Sequence, residues 1–441
     1  MKVLVFNVKY SPNLGDGVLA ECLESTLRRS GCEVETIDLA GRRAYGDAGG
    51  GRMGALAILR LLPPRLRRTA VAFVLGRKLR RLRGGWQARV EAADAVVVGG
   101  GNLFQDDDLN FPLKIAAVLE CACRAERPLA VFAVGVTAHW SDRAAKLFGW
   151  LRDCRIVHIS VRDRAARDNW IAHFGHRHDV EVCPDPGLLA CDLPQVGEAA
   201  PALDRPLIGV CVTHPIVLRR HAAIADAQIP LLTVDEYRQL AEWLINAGCR
   251  VLLFTNGANE DQRFLDRIMQ NRACAAHVAT GLLVAAAPSH TPADLIGTLR
   301  RPAAIVAHRL HACIVSYSLG TPQIGLGWDR KVESFFRSVG REGFFLQGDV
   351  TPQQIGGLVL KAMDEGIDVE THGRHLGHAR QAVALLVQQM RKTVCQTDAA
   401  DPTNARPKAW KAPDHQDVID GGNAQFALKR IAIEPESDRE M

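Results

Sequence analysis

The sequence predicts an α/β protein in which two doubly wound halves face a cleft. Three observations carry this. Short apolar, β-branched runs alternate with stretches of helical period along most of the chain, and the alternation pauses once before it restarts. Polar and glycine-rich residues follow several strand ends. At 441 residues the chain also exceeds what one hydrophobic core serves, since cores stop growing near ~250 to 300 residues. We therefore read an N-terminal domain over 1–195, with a basic segment at 48–90 inserted, and a C-terminal domain over 205–395. The polar, proline-bearing stretch 398–441 reads as a mostly disordered tail.

The elements follow in order. KVLVF at 2–6 is a first strand, and the polar loop Asn7 to Asp16 leads into a helix with Val18, Leu19, Cys22, Leu23 and Leu27 on one face. Glu33 to Asp38 form a second strand, and Ala95 to Val98 a third that runs into Gly99, Gly100 and Gly101. A helix over about 110–125, the strands LAVFAVGV and RIVHISV, a helix over 165–174 and the segment VEVCPDPGLL complete the first half. Residues 193–205 are rich in Pro, Gly, Ala and acid without periodicity, which makes them a linker. The second half repeats the pattern with LIGVCVTH, a helix over 235–247, RVLLFTNG, a helix over 261–270, HVATGL and a helix over 292–299. The strand 303–307, a helix over 311–319, PQIGLGW and helices near 352–365 and 378–392 then close it.

Charge and composition narrow the function classes. Lys and Arg outnumber Asp and Glu by 54 to 49, but residues 48–90 hold eleven Lys or Arg and no acid. That segment mixes apolar and basic residues as a membrane-surface element does; it also fits a pair of surface helices with solvated arginines. Nucleic acid is not an expected partner, because the segment has only Phe73 and Trp86 to stack bases. No apolar run reaches the ~18 residues of a membrane span, and the N-terminus lacks a signal-peptide pattern, so a cytoplasmic location is expected. The twelve cysteines include no CxxC pair, and most, among them Cys154, Cys211, Cys249 and Cys313, lie in apolar segments as reduced core residues.

Candidate site residues cluster at strand ends. His308, Arg309 and His311 follow the strand 303–307 where ligands bind in open α/β sheets. Arginine reads anions and histidine moves protons. Asn13, Gly15 and Asp16 open the first helix, where free amides favour an anion, although Asp16 also suits a helix cap. Gly99 to Gly101 let a backbone approach a ligand closely, or form a tight turn. Within the acidic run that follows, one of Asp106, Asp107 and Asp108 is a candidate base. Arg162 is a second anion candidate, with an ion pair to Asp163 or Asp168 as its other reading. A metal site is not expected, since zinc needs three or four ligands and the two histidines have no third.

Taken in order, NLGD at Asn13–Asp16, GGGNLFQD at Gly99–Asp106, SVRD at Ser160–Asp163, PDPG at Pro184–Gly187, RLH at Arg309–His311 and WDRKVESFF with Lys331 resemble the polysaccharide pyruvyl transferase family over residues 1 to about 345. The resemblance implies two Rossmann-like domains around a cleft, similar to GT-B glycosyltransferases. It implies transfer of pyruvate from phosphoenolpyruvate to saccharide hydroxyls, usually as a ketal, with no cofactor beyond the donor. Under it, Arg162, Arg309, Leu310 and Lys331 bind phosphoenolpyruvate and His311 is the acid. Asp106 accepts a hydroxyl proton or orients the sugar, and Asn13, Gly15, Asp16 and Gly99 to Gly101 hold an anion or the acceptor. A lipid-linked acceptor, frequent among related proteins, would give the basic stretch 52–83 a role at the inner face of a membrane. The other readings kept open are a glycosyltransferase using a nucleotide sugar and a noncatalytic member of a polysaccharide assembly pathway.

Overall fold

The computed structural model describes residues 1–47, 63–194, 204–221 and 228–398. The linker core and the tail expected beyond 398 lie outside these residues, as does the first part of the basic segment.

The first six strands are β1 (Lys2–Asn7), β2 (Glu33–Asp38), β3 (Ala95–Phe104), β4 (Leu129–Val136), β5 (Ile156–Val161) and β6 (Glu181–Val182). They form one parallel sheet in the order β2-β1-β3-β4-β5-β6, with Val3 to Phe6 in register with Ala95 to Val98. Every residue of β4 is buried, as a parallel strand covered on both faces requires. The connecting helices are α1 (Leu14–Arg29), α2 (Pro64–Glu91), α3 (Asn110–Arg124), α4 (Asp142–Gly149) and α5 (Arg164–Phe174). The five apolar residues expected on one face of α1 are all 2% exposed or less.

The second sheet holds β7 (Leu207–Cys211), β8 (Arg250–Phe254), β9 (Leu283–Ala285), β10 (Ala304–Ala307), β11 (Gln323–Leu326) and β12 (Phe345–Leu346). Its order is β12-β11-β10-β7-β8-β9, again all parallel. Around it lie α6 (Pro215–His221), α7 (Val234–Asn246), α8 (Asn259–Met269), α9 (Ala275–Ala279), α10 (Pro292–Leu299), α11 (Leu310–Ser318), α12 (Arg330–Ser338) and α13 (Pro352–Glu365). Capping boxes at Thr233 with Glu236, Thr291 with Asp294 and Thr351 with Gln354 fix where three of these helices start. The last helix, α14 (Val369–Asp398), returns to the first half, where Gln389 meets His158 at 2.6 Å and Arg391 donates to the Ser30 carbonyl at 2.7 Å. One core runs from Val3, Val5 and α1 through to β7, β10 and α11, so the two sheets share buried apolar surface. A second core lies on the other face of the first sheet.

Three details differ from the sequence reading. Gly99 to Gly101 lie inside β3, which continues to Phe104 instead of turning. Of the basic segment, the described part is the helix α2; the pair of helices read over 48–90 falls partly outside the described residues. Its buried face carries Leu79, Trp86 and Val90, with the Trp86 ring edge-on to Phe6 at 5.3 Å. HVATGL contributes the end of α9, and the strand follows at Leu283. Cys154, expected reduced, is joined to Cys123 as a disulfide with Cα atoms 5.0 Å apart, because the end of α3 and the approach to β5 converge.

Candidate active site between the two sheets

Both sheets present their carboxyl edges to the same cleft. In the second sheet the strand order reverses between β7 and β10, and a ligand crevice forms outside such a point. There β10 delivers His308 and Arg309, and β7 delivers Thr213 and His214. In the first sheet the reversal falls between β1 and β3, next to the Asn13–Asp16 loop and the glycines of β3.

Arg309 is held by a partner that the motif reading did not assign. Its Nη2 donates to Asp261 Oδ2, and the other oxygen of Asp261 accepts the His214 amide at 2.8 Å. Asp261 is fully buried on α8 and the Arg309 side chain is 12% exposed. Burial works against the guanidinium charge, and the Asp261 carboxylate more than reverses this, so the pKa stands above its ordinary value. Arg309 Nε has no hydrogen-bond partner among the described residues. The fork is thus oriented by one carboxylate and keeps donors for an incoming anion.

His311 lies in the first turn of α11, with Nδ1 3.4 Å from Asp16 Oδ1. Its Nε2 is buried and has no partner among the described residues. The approach depends on Gly15, where a Cβ would overlap the His311 Cβ and lie 2.8 Å from Nδ1. Backbone contacts fix the loop that carries both. The Leu14 amide donates to the Asn256 carbonyl at 2.8 Å, and Asn256 Nδ2 to Asn13 Oδ1 at 3.3 Å. The opening loop of the first half therefore docks on the Thr255–Gly257 turn and on His311 of the second.

A second basic pair is contributed by both sheets. Arg162, following β5, lies 3.4 Å from Asp163, which also caps α5 through the Ala166 amide. Gly135 makes room for it, since a Cβ there would overlap Asn102 Oδ1 and lie 2.8 Å from Arg162 Nη2. From the second sheet, Lys331 Nζ pairs with Asp329 at 2.8 Å and sits over the Trp328 ring at 5.0 Å. Burial tends to raise the Asp329 carboxyl, but Lys331, with a contribution from Arg162, brings it below the usual carboxylate range. Arg162 thus acts on an acid of the opposite sheet.

Other predicted residues take quieter positions. Gly100 needs φ +76° and its missing Cβ is filled by Leu19, whereas Gly101, at φ +84°, faces open space. Both Asp106 oxygens accept backbone amides at 2.9 Å, from Leu109 and Ser141. Leu310 is 7% exposed and packs in the core. His308, placed at a strand end where chemistry was expected, is fully buried and gives its Nε2 to the Pro230 carbonyl at 2.7 Å. Burial holds its pKa at about 4, so it is a neutral packing residue. Its carbonyl accepts Trp328 Nε1 at 2.6 Å, which places the tryptophan under Lys331.

Comparison with known proteins follows this geometry. No curated protein matches the chain. Among solved structures, a protein of Listeria monocytogenes described as a UDP-N-acetylglucosamine 2-epimerase aligns at TM-score 0.52 with 11% identity, covering 93% of this chain and 99% of that one. S. aureus MnaA with UDP aligns at 0.51 with 9% identity, covering 92% and 99%. UDP-GlcNAc 2-epimerase from Methanocaldococcus jannaschii aligns at 0.51 with 9% identity, covering 89% and 100%. Likeness at this identity speaks to fold alone: two Rossmann-like domains across a cleft, the GT-B-like architecture. The family described as polysaccharide pyruvyl transferase matches residues 13–330, from the Asn13 loop to the start of α12. This chain belongs to the polysaccharide pyruvyl transferase family.

Proposed function

We propose that this chain transfers pyruvate from phosphoenolpyruvate to two hydroxyls of a saccharide, forming a ketal and releasing phosphate. The observation that carries the reading is the meeting of Arg309, aimed by buried Asp261, with His311 beside Asp16. Phosphoenolpyruvate offers a carboxylate and a phosphate, and two arginine forks suit two anionic ends. Arg309 and Arg162 take these, and Lys331 neutralises the departing phosphate. Leu310 supplies apolar packing behind Arg309.

His311 Nε2 gives its proton to the methylene carbon, which becomes a methyl group and leaves a positive centre at the adjacent carbon. Asp16 at Nδ1 balances the charge of the doubly protonated ring. One sugar hydroxyl attacks that centre and returns a proton to His311. The second attacks as the carbon–oxygen bond to phosphate breaks, and its proton leaves with the phosphate. The balance needs no cofactor. Asp106 holds the turn after β3, and with Asn13 and Gly99 to Gly101 it shapes the acceptor side. A lipid-linked saccharide at the inner face of a membrane is the acceptor class this reading favours.

Thermal-shift titration with phosphoenolpyruvate, set against a panel of nucleotide sugars, tests it. Saturable stabilisation by phosphoenolpyruvate that weakens in Arg309→Lys is the expected result, because an ammonium lacks the fork. Stabilisation by a nucleotide sugar alone would overturn it in favour of glycosyl transfer.

A further inference from the structure

Helix α2 carries apolar residues on two opposite sides. Leu75, Leu79, Leu82 and Trp86 point into the second core of the first sheet. Leu66, Phe73 and Val74, at 57%, 61% and 69% exposed, lie about half a turn away on a helix of 3.6 residues per turn. The two sides occupy different ends: the inward face dominates the C-terminal half, and the outward face the N-terminal half.

The basic residues divide in the same way. Arg67, Arg83 and Arg89 turn inward to Asp108, Glu120 and Glu35 at 2.7, 2.6 and 3.1 Å. Arg77, Lys78, Arg80 and Arg81 are exposed, with no acid partner among the described residues. The sequence around them offers none either, since 48–90 contain no Asp or Glu. Uncovered phenylalanine and valine beside four unpaired cations match the chemistry of an anionic bilayer surface, with acyl boundary for the rings and headgroups for the charges. Position adds to the match. The Arg67–Asp108 pair pins the N-terminal part of α2 to the turn after β3, at the carboxyl edge where the cleft opens.

We propose that the outward face of α2, built on Phe73, Val74, Arg77, Lys78, Arg80 and Arg81, docks the protein on an anionic lipid bilayer. It lies flat on the surface, and the cleft is held near lipid headgroups.

The test is flotation of the full chain with vesicles of phosphatidylcholine alone or mixed with phosphatidylglycerol. Binding to the anionic vesicles only, weakened by salt, is expected. Phe73→Glu with Val74→Glu, and separately Arg77→Glu with Arg80→Glu and Arg81→Glu, should each lower binding about tenfold or more. Circular dichroism and melting temperature should stay unchanged, since these side chains are mostly exposed. Absence of binding, or binding that survives both sets, overturns the proposal. So does a concentration-dependent dimer in sedimentation that the Phe73 variant abolishes, which would assign the face to a second copy. No donor or acceptor enters this assay, so its failure is separate from failure of the proposed reaction.

Discussion

The two sheets build their halves of the site by different means. In the second, charge is buried and fixed: Asp261 fully enclosed against Arg309, and His308 neutral and bonded beneath Trp328. In the first, space is kept open by missing side chains. Gly15, Gly100 and Gly135 each leave a volume that His311, Leu19 or Arg162 fills, and Arg162 pairs with Asp163 at 3.4 Å. The second half therefore loses stability when its charges are altered. The first half loses geometry while remaining folded.

Substitutions should separate the two behaviours. His311→Ala should lower kcat by about a hundred- to ten-thousand-fold, with little change in donor affinity by calorimetry; wild-type turnover would remove it from the acid role. Asp261→Asn should cost about 3–5 kcal/mol in denaturant unfolding, because it strands the Arg309 charge in a buried place. Replacing both, Asp261→Leu with Arg309→Met, should recover most of that stability and still abolish donor binding. If the single and double variants unfold alike, the pair is not what orders α8 against α11.

A pH dependence follows from His308. Burial, aided by Arg309 and opposed by the Pro230 carbonyl, lowers its pKa from 6.5 to about 4 in the folded chain. The unfolded chain then takes up the proton first as pH falls. This contribution is whole above pH 6.5 and is lost towards pH 4, amounting to about 3 kcal/mol. His308→Asn should flatten unfolding free energy across that window; an unchanged slope would place the acid sensitivity elsewhere. Gly135→Ala should have the smallest effect on stability, about 0.5–1.5 kcal/mol, since only the ends of Asn102 and Arg162 must move. Its donor KM should nevertheless rise, and an unaffected KM would show that Arg162 has slack.

Where sequence reading succeeded, the signal was local. Strand periods placed β1, β2 and β4 within a residue, and the helix expected over 292–299 coincides with α10. Arg309, His311 and Asp16 could be singled out because they follow apolar runs. Their geometry could not. Asp261 lies at the start of α8, outside the motifs that carry the resemblance, and its partner is 48 residues away. Asn256 meets Asn13 across 243 residues. His308 and Arg309 are neighbours with the same strand-end credentials, yet one is sealed under a tryptophan and the other opens to the cleft. Enclosure is decided by the surrounding fold, and a single sequence does not state it. The Cys123–Cys154 bond was hidden for the same reason.

The packing of His311 into the space left by Gly15 ties two distant codons together. An alanine at 15 would be tolerated only alongside a different side chain or a shifted helix start at 311, so the positions should drift as a pair. In an alignment of this chain's descendants and cousins, correlated change at 15 and 311 would record how closely the two halves approach. A lineage with a bulkier residue at 15 and an altered 311 would be expected to have given up the proton donor proposed here.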